Sequence, residues 1–200
     1  MADHNRTQRL ESTKKLVGLA LLAAIVALLQ LLGSFIRIGP FPISLVLIPI
    51  VIGAAIYGPG GGAFLGGVFG LIVTIATVNG TDQGAYVMFV ARPFVTVALC
   101  MLKGIAAGWV AGLAYRAVSG KNQTLAVLLA AVLCPITNTG IFCAAMLLFY
   151  FDILQEWAGG TNVVAYMLFT LAGVNFLIET ALNLVVSSVI VRIVNIWKKA

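Results

Sequence analysis

Charge is scarce in this chain of 200 residues: Asp, Glu, Lys and Arg together make up 9% of it, where a soluble domain carries roughly a quarter. With 62% hydrophobic residues and a mean hydropathy of +1.10, it cannot cover itself with a solvated surface, so a water-soluble globule is excluded. Histidine occurs once, as His4 in the polar N-terminal stretch, which excludes an HExxH zinc helix. There is also no paired-carboxylate motif and no Gly-x-Ser-x-Gly elbow, and Glu179 is the sole conventional base inside an apolar run, so an enzyme is not expected. The three cysteines, Cys100, Cys134 and Cys143, lie in apolar runs without Cys-x-x-Cys spacing and read as packing residues. The glycine-rich stretch 57–63 has no following Gly-Lys-Ser/Thr and no GxGxxG register, so it is no phosphate cradle. No cofactor, metal or further soluble domain is expected.

What the chain has is apolar length. Runs bounded by Gly, Pro, Asn and charges give six candidate membrane spans, at about 16–36, 43–57, 62–78, 85–116, 124–151 and 163–191. The predicted fold is all-α: a polar tail over 1–15, retained rather than cleaved, followed by one six-helix transmembrane domain over 16–200. The formal charge of +6 reflects placement rather than affinity for nucleic acid. With the N-terminus inside, Arg6, Arg9, Lys14, Lys15, Arg116, Lys121, Arg192, Lys198 and Lys199 fall on the cytoplasmic side and only Arg37 outside, so both termini are predicted to be cytoplasmic.

Three ionisable residues remain inside the spans: Arg92, Lys103 and Glu179. Each costs roughly 2.5–3.5 kcal/mol to insert and marks a site or an internal pair. Lys103 lies 13 residues before Arg116, and Glu179 lies 13 before Arg192, so both sit about 20 Å above the inner boundary. Counting from Lys15 and Lys121 puts Gln30 and Asn138 at depths of about 23 and 26 Å, and Asn175 is one turn from Glu179. A polar layer is therefore expected, with Lys103 and Glu179 either paired or touching a ligand, Asn138 and Asn175 on a pocket floor, and Arg92 above them as a bidentate partner for a carboxylate. The outer connections 79–86 and 152–162 add Asn79, Tyr86 and Trp157, which suit either bilayer anchoring or an outward-facing pocket.

Small residues form ridges. Gly62, Gly66 and Gly70, and likewise Gly104, Gly108 and Gly112, recur every four residues and let helix backbones approach closely. On the first span Ala20, Ala23, Ala24 and Ala27 make a smooth face for internal packing or for a partner subunit.

Taken in order, six short spans, the alanine face, the run from Ile43 to Ala54 with Pro49, and the Gly58-Pro59 turn resemble the substrate-binding S component of an energy-coupling factor (ECF) vitamin transporter. Arg92-Pro93 followed by the stretch 102–108 looks most like the pantothenate-type and related small-vitamin members. The resemblance implies high-affinity capture of a vitamin from outside, using loops one, three and five over spans four to six. It further implies docking through the first span on an ECF transmembrane coupling subunit driven by two cytoplasmic ATPases, release by toppling in the bilayer, and residence in the prokaryotic cell membrane. A small secondary transporter or channel working without an ATPase is the alternative.

Overall fold

The computed structural model describes residues 2–33, 37–38, 41–42 and 45–199. Ile43 and Ser44, which open the run that ends at Ala54, and residues 34–36, which close the first expected span, lie outside the described residues. The order is α1 (Ala2–Gly33), β1 (Arg37–Ile38), β2 (Phe41–Pro42), α2 (Leu47–Val78), α3 (Gln83–Ala91), α4 (Pro93–Val118), α5 (Gln123–Phe149), α6 (Phe151–Ala158), α7 (Val163–Ala165), a π-helical turn (Tyr166–Leu171) and α8 (Gly173–Lys199). The two-residue strands pair antiparallel, Arg37 with Pro42 and Ile38 with Phe41. Among the described residues all other elements are helical, and five helices are long and apolar enough to cross a membrane. The polar residues read as a tail continue α1 upstream of its apolar part, Ser12–Gly33.

The second expected span from residue 47 onward and the whole of the third fall within α2, which is not straight. Gly58 takes φ 77° and ψ −170°, a conformation open to glycine and not to side chains with a Cβ, and Pro59 restarts the helix. A Cβ built on Gly62 would lie 2.8 Å from the Cβ of Ala54. In a continuous helix residues eight apart are about 12 Å distant along the axis, so the arms before and after Gly58 fold back on each other. The run read as one span over 85–116 is likewise two helices. Pro93 opens α4, and Arg92, restricted by the proline after it, takes φ −146° and ψ 80° and ends α3.

The two glycine ridges face each other. A Cβ on Gly62 would run into the carbonyl of Gly108, one on Gly66 into that of Gly104, and one on Gly70 would sit 2.7 Å from the carbonyl oxygen of Cys100. The register descends on α4 as it ascends on α2, which is antiparallel close packing of two backbones. Polar caps set the ends of shorter elements: Asp82 accepts the Ala85 N–H at 3.2 Å, Asn122 that of Leu125 at 3.0 Å, and Asn162 that of Ala165 at 3.0 Å.

Two apolar clusters result. One gathers Val26, Ile50, Leu65, Phe69, Ala107, Ala130 and Ile190; the other gathers Met88, Leu99, Met146, Tyr150, Leu154 and Leu171. α5 and α8 are tied inside the first. Pro135 has no N–H to give the carbonyl of Ala131 one turn earlier, and the side-chain amide of Asn183 on α8 donates to that carbonyl at 3.3 Å.

Candidate functional site

A cavity lies where the two apolar clusters meet. Phe69 and Val73 of α2 form one wall, Phe142 of α5 with Leu171 and Ala172 another, and the polar lining consists of Gln30, Asp82, Lys103, Asn138, Thr139, Asn175 and Glu179. Each polar group arrives by a separate route. Gln30 comes from the last turns of α1, Lys103 sits beside the Gly104 seam of α4, Asn138 and Thr139 follow the Pro135 turn of α5, and Asn175 and Glu179 stand one turn apart on α8. Asp82 comes from the connection between α2 and α3, with its carboxylate held by the start of α3.

The start of α8 is shaped for this purpose. The helix widens through the π turn, where the Ala172 N–H reaches the carbonyl of Met167 at 2.9 Å, and a Cβ on Gly173 would strike the carbonyl of Leu168. Leu171 and Ala172 thereby join Asn175 and Glu179 on the cavity wall.

The chemistry of the lining is uneven. Lys103 is the one cation among the lining residues, and its Nζ stands 5.6 Å from the centroid of the Phe142 ring, within cation–π range. Asp82, Asn138 and Glu179 are each more than nine-tenths buried. The Oδ1 atoms of Asn138 and Asn175 are buried acceptors with no donor opposite them. Buried acceptors of this kind are ordinarily met by protein groups or ordered water, and a side-chain amide on the lining can turn either its oxygen or its NH₂ toward a molecule that enters. The lining can hold an anionic group at Lys103, hydrogen-bond donors at the floor and an apolar middle against Phe69, Val73 and Phe142. A smaller cavity adjoins it, sharing Val73, Asp82, Lys103 and Phe142 and extending past Met88, Thr96, Leu99 and Cys100.

Of the residues named from the sequence, Lys103, Asn138, Asn175 and Glu179 come together here. Arg92, Asn79, Tyr86 and Trp157 do not line the cavity. The Arg92 side chain is exposed at the break between α3 and α4, where its backbone carbonyl accepts from Thr96 Oγ1 at 3.0 Å, and the Thr96 and Tyr150 hydroxyls lie 2.7 Å apart. Asn79 caps α2, Tyr86 is exposed, and Trp157 packs against the second apolar cluster. Gln30, placed by the sequence at the level of Lys103, Asn138 and Glu179 but not assigned to the pocket, lines it with them, as do Asp82, Thr139 and Phe142, which the sequence reading left out. An Asp immediately before a helical run is a readable cap signal, but nothing in the sequence says that the loop carrying it turns inward. On α1, Ala20 and Ala24 are exposed and Ala23 and Ala27 half-buried, with Ala23 packed on the core.

Among protein families, the one described as ECF transporter, substrate-specific component matches residues 14–191. The pantothenic acid transporter PanT of Lactococcus lactis subsp. cremoris (strain MG1363) is 30% identical over 196 residues, covering 86% of this chain and 89% of that protein. The match runs from the first apolar helix nearly to the end of α8, and so takes in every wall of the cavity. The chain belongs to the substrate-specific components of ECF transporters, multi-pass proteins of the cell membrane that bind a small substrate and work with an energy-coupling module, and not to an enzyme family.

Proposed function

We propose that this chain captures pantothenate, or a vitamin with the same acid-and-hydroxyl pattern, from the outer face of the membrane and carries it to an ATP-driven module. The observation that carries this reading is a cavity whose lining, among the described residues, holds one cation, Lys103, together with Asn138 and Asn175, whose Oδ1 atoms lack a donor. Pantothenate has a carboxylate at one end, an amide N–H in the middle and two hydroxyls beside a dimethyl carbon at the other. Its carboxylate suits the Lys103 ammonium, its donors suit the two Asn Oδ1 atoms, and its methyl groups suit Phe69, Val73 and Phe142. The 30% identity to a pantothenic acid transporter supports the same choice. Asn79, Tyr86, Arg92 and Trp157 serve at the mouth, where an exposed guanidinium draws in an anion.

Six spans with both termini cytoplasmic are part of the reading. The fold-back at Gly58 supports counting the arms 47–57 and 59–78 separately, the first reaching about 16 Å and the second about 30 Å of a core roughly 30 Å thick. Nine of the ten Lys and Arg residues outside the spans support the orientation. The exposed Ala20 and Ala24 then present a smooth ridge of α1 to an ECF transmembrane coupling subunit driven by two cytoplasmic ATPases, and the loaded chain topples to release its cargo. Mass spectrometry of the chain purified from cells in vitamin-rich medium tests the substrate. One co-purifying acidic vitamin is expected, and a neutral or cationic ligand would refute the assignment.

A further inference from the structure

Among the described residues, the cavity lining holds one positive side chain, Lys103, and two carboxylic acids, Asp82 and Glu179. Glu179 is faced by Lys103 from α4, by Asp82 from the α2–α3 connection and by the thiol of Cys134 from α5, whereas α1 and α2 contribute only Gln30, Phe69 and Val73. With both acids ionised the lining sums to one negative charge, and an anionic ligand would make it two beside side chains that are themselves more than nine-tenths buried. Like charges gathered on one partly buried lining oppose each other, and a proton is the simplest neutraliser.

We infer that the binding of an acidic vitamin in this cavity takes up one proton from water, and that Glu179 receives it. The inference rests on the acidic-vitamin reading above. The two acids are not equivalent candidates. Asp82 accepts the Ala85 N–H at 3.2 Å at the start of α3, where peptide dipoles favour a carboxylate. Glu179 sits mid-helix, more than nine-tenths buried and one turn from Asn175 on the same lining. As a carboxylate it adds a negative charge beside that of the ligand; as a carboxylic acid it adds none and can still donate or accept one hydrogen bond. The step is balanced as the carboxylate plus one proton from bulk water giving the neutral acid, while the ligand's own carboxylate stays ionised against Lys103. Lys103 and Glu179 thus divide the work: the first reads the acid, and the second removes the charge that would repel it.

Calorimetry decides it. Pantothenate is titrated into the purified full-length chain near pH 7 in buffers of differing ionisation enthalpy, and the slope of observed heat against buffer enthalpy counts protons. About one proton taken up per ligand is expected, with affinity falling by up to tenfold per pH unit as pH rises through the range in which Glu179 is protonated only in the complex. The analogue with the carboxylate reduced to an alcohol should bind without uptake. Glu179→Gln should bind pantothenate with no uptake and a flat pH profile. Should that variant not fold, the wild-type slope and the alcohol analogue still decide. Wild-type binding with no proton taken up overturns the inference and leaves the vitamin assignment standing, and uptake that persists in folded Glu179→Gln removes Glu179 from it. No pantothenate binding at all overturns the assignment and the inference together.

Discussion

Replacing Gly66 by alanine adds one methyl group at the tightest point of the α2–α4 seam. Its Cβ would run into the carbonyl oxygen of Gly104 and come to 2.6 Å from the carbonyl carbon, with Ile105 N at 3.1 Å. Ordinary contact begins at 3.4 Å, so relief of the carbon contact alone, from 2.6 to 3.4 Å, parts the backbones by about 0.8 Å, and the nearer carbonyl oxygen demands more. A gap of that order forfeits about a quarter to a half of the dispersion well at each seam contact, and overpacking of this kind costs about 1–3 kcal/mol. Alanine also gains about 0.8–1.0 kcal/mol of helix propensity over glycine, which must be removed from the comparison. The neighbouring Gly67 provides the control. A Cβ there meets only Ile105 Cγ1 at 3.6 Å and Cδ1 at 4.0 Å, so Gly67→Ala has the propensity gain without the clash. Gly66→Ala should therefore melt below Gly67→Ala by about 1–3 kcal/mol, or roughly 2–12 °C for a chain of this size, in detergent thermal-shift measurements. Because Phe69 and Val73 on one side of the seam and Lys103 on the other line the cavity, pantothenate affinity should fall in Gly66→Ala and hold in Gly67→Ala. Equal melting of the two variants would refute the packing argument.

Asn183→Leu should cost about 1–3 kcal/mol in thermal unfolding, since it leaves the Ala131 carbonyl buried without a donor, and most of that loss should vanish in a Pro135→Ala background, where the helix supplies its own N–H. Unchanged cost in that background would separate the two residues. Ala24→Trp should abolish cellular uptake while leaving vitamin binding in detergent nearly intact, and loss of folding would instead place that face in the protein's own core. Lys103→Met should weaken pantothenate by roughly tenfold or more, the worth of a charge-assisted hydrogen bond, yet leave the alcohol analogue nearly unaffected. Equal losses for both ligands would mean that Lys103 does not read the acid.

That the chain forms a bundle of long apolar helices was legible for physical reasons that stop short of the site. Apolar run length gives spanning helices, and 1.5 Å of rise per residue places Gln30, Lys103, Asn138 and Glu179 at one level, the same four that line one cavity. Depth says nothing of rotation about a helix axis, so which polar residues at that level face one another had to come from packing. The glycine ridges were readable as ridges, but their antiparallel register was not, because a period of four carries no partner identity. Arg92 was expected above the pocket inside a continuous span. The proline after it ends α3 and turns its side chain outward, a consequence of Pro93 that was present in the sequence and not used. Asp82 could not be assigned because its position depends on how a short connection folds, and the π turn before Gly173 leaves no periodic trace.

The central claim is that this chain, alone and without ATP, binds an acidic vitamin in the cavity around Lys103. Equilibrium titration of the purified chain against a panel of vitamins measures it directly. Saturable one-to-one binding of pantothenate, lost or strongly weakened in Lys103→Met and absent for cationic vitamins, is the predicted result. Failure of every vitamin to bind folded protein, together with an ion flux when the chain is placed in liposomes, would contradict the account and make the chain a small channel.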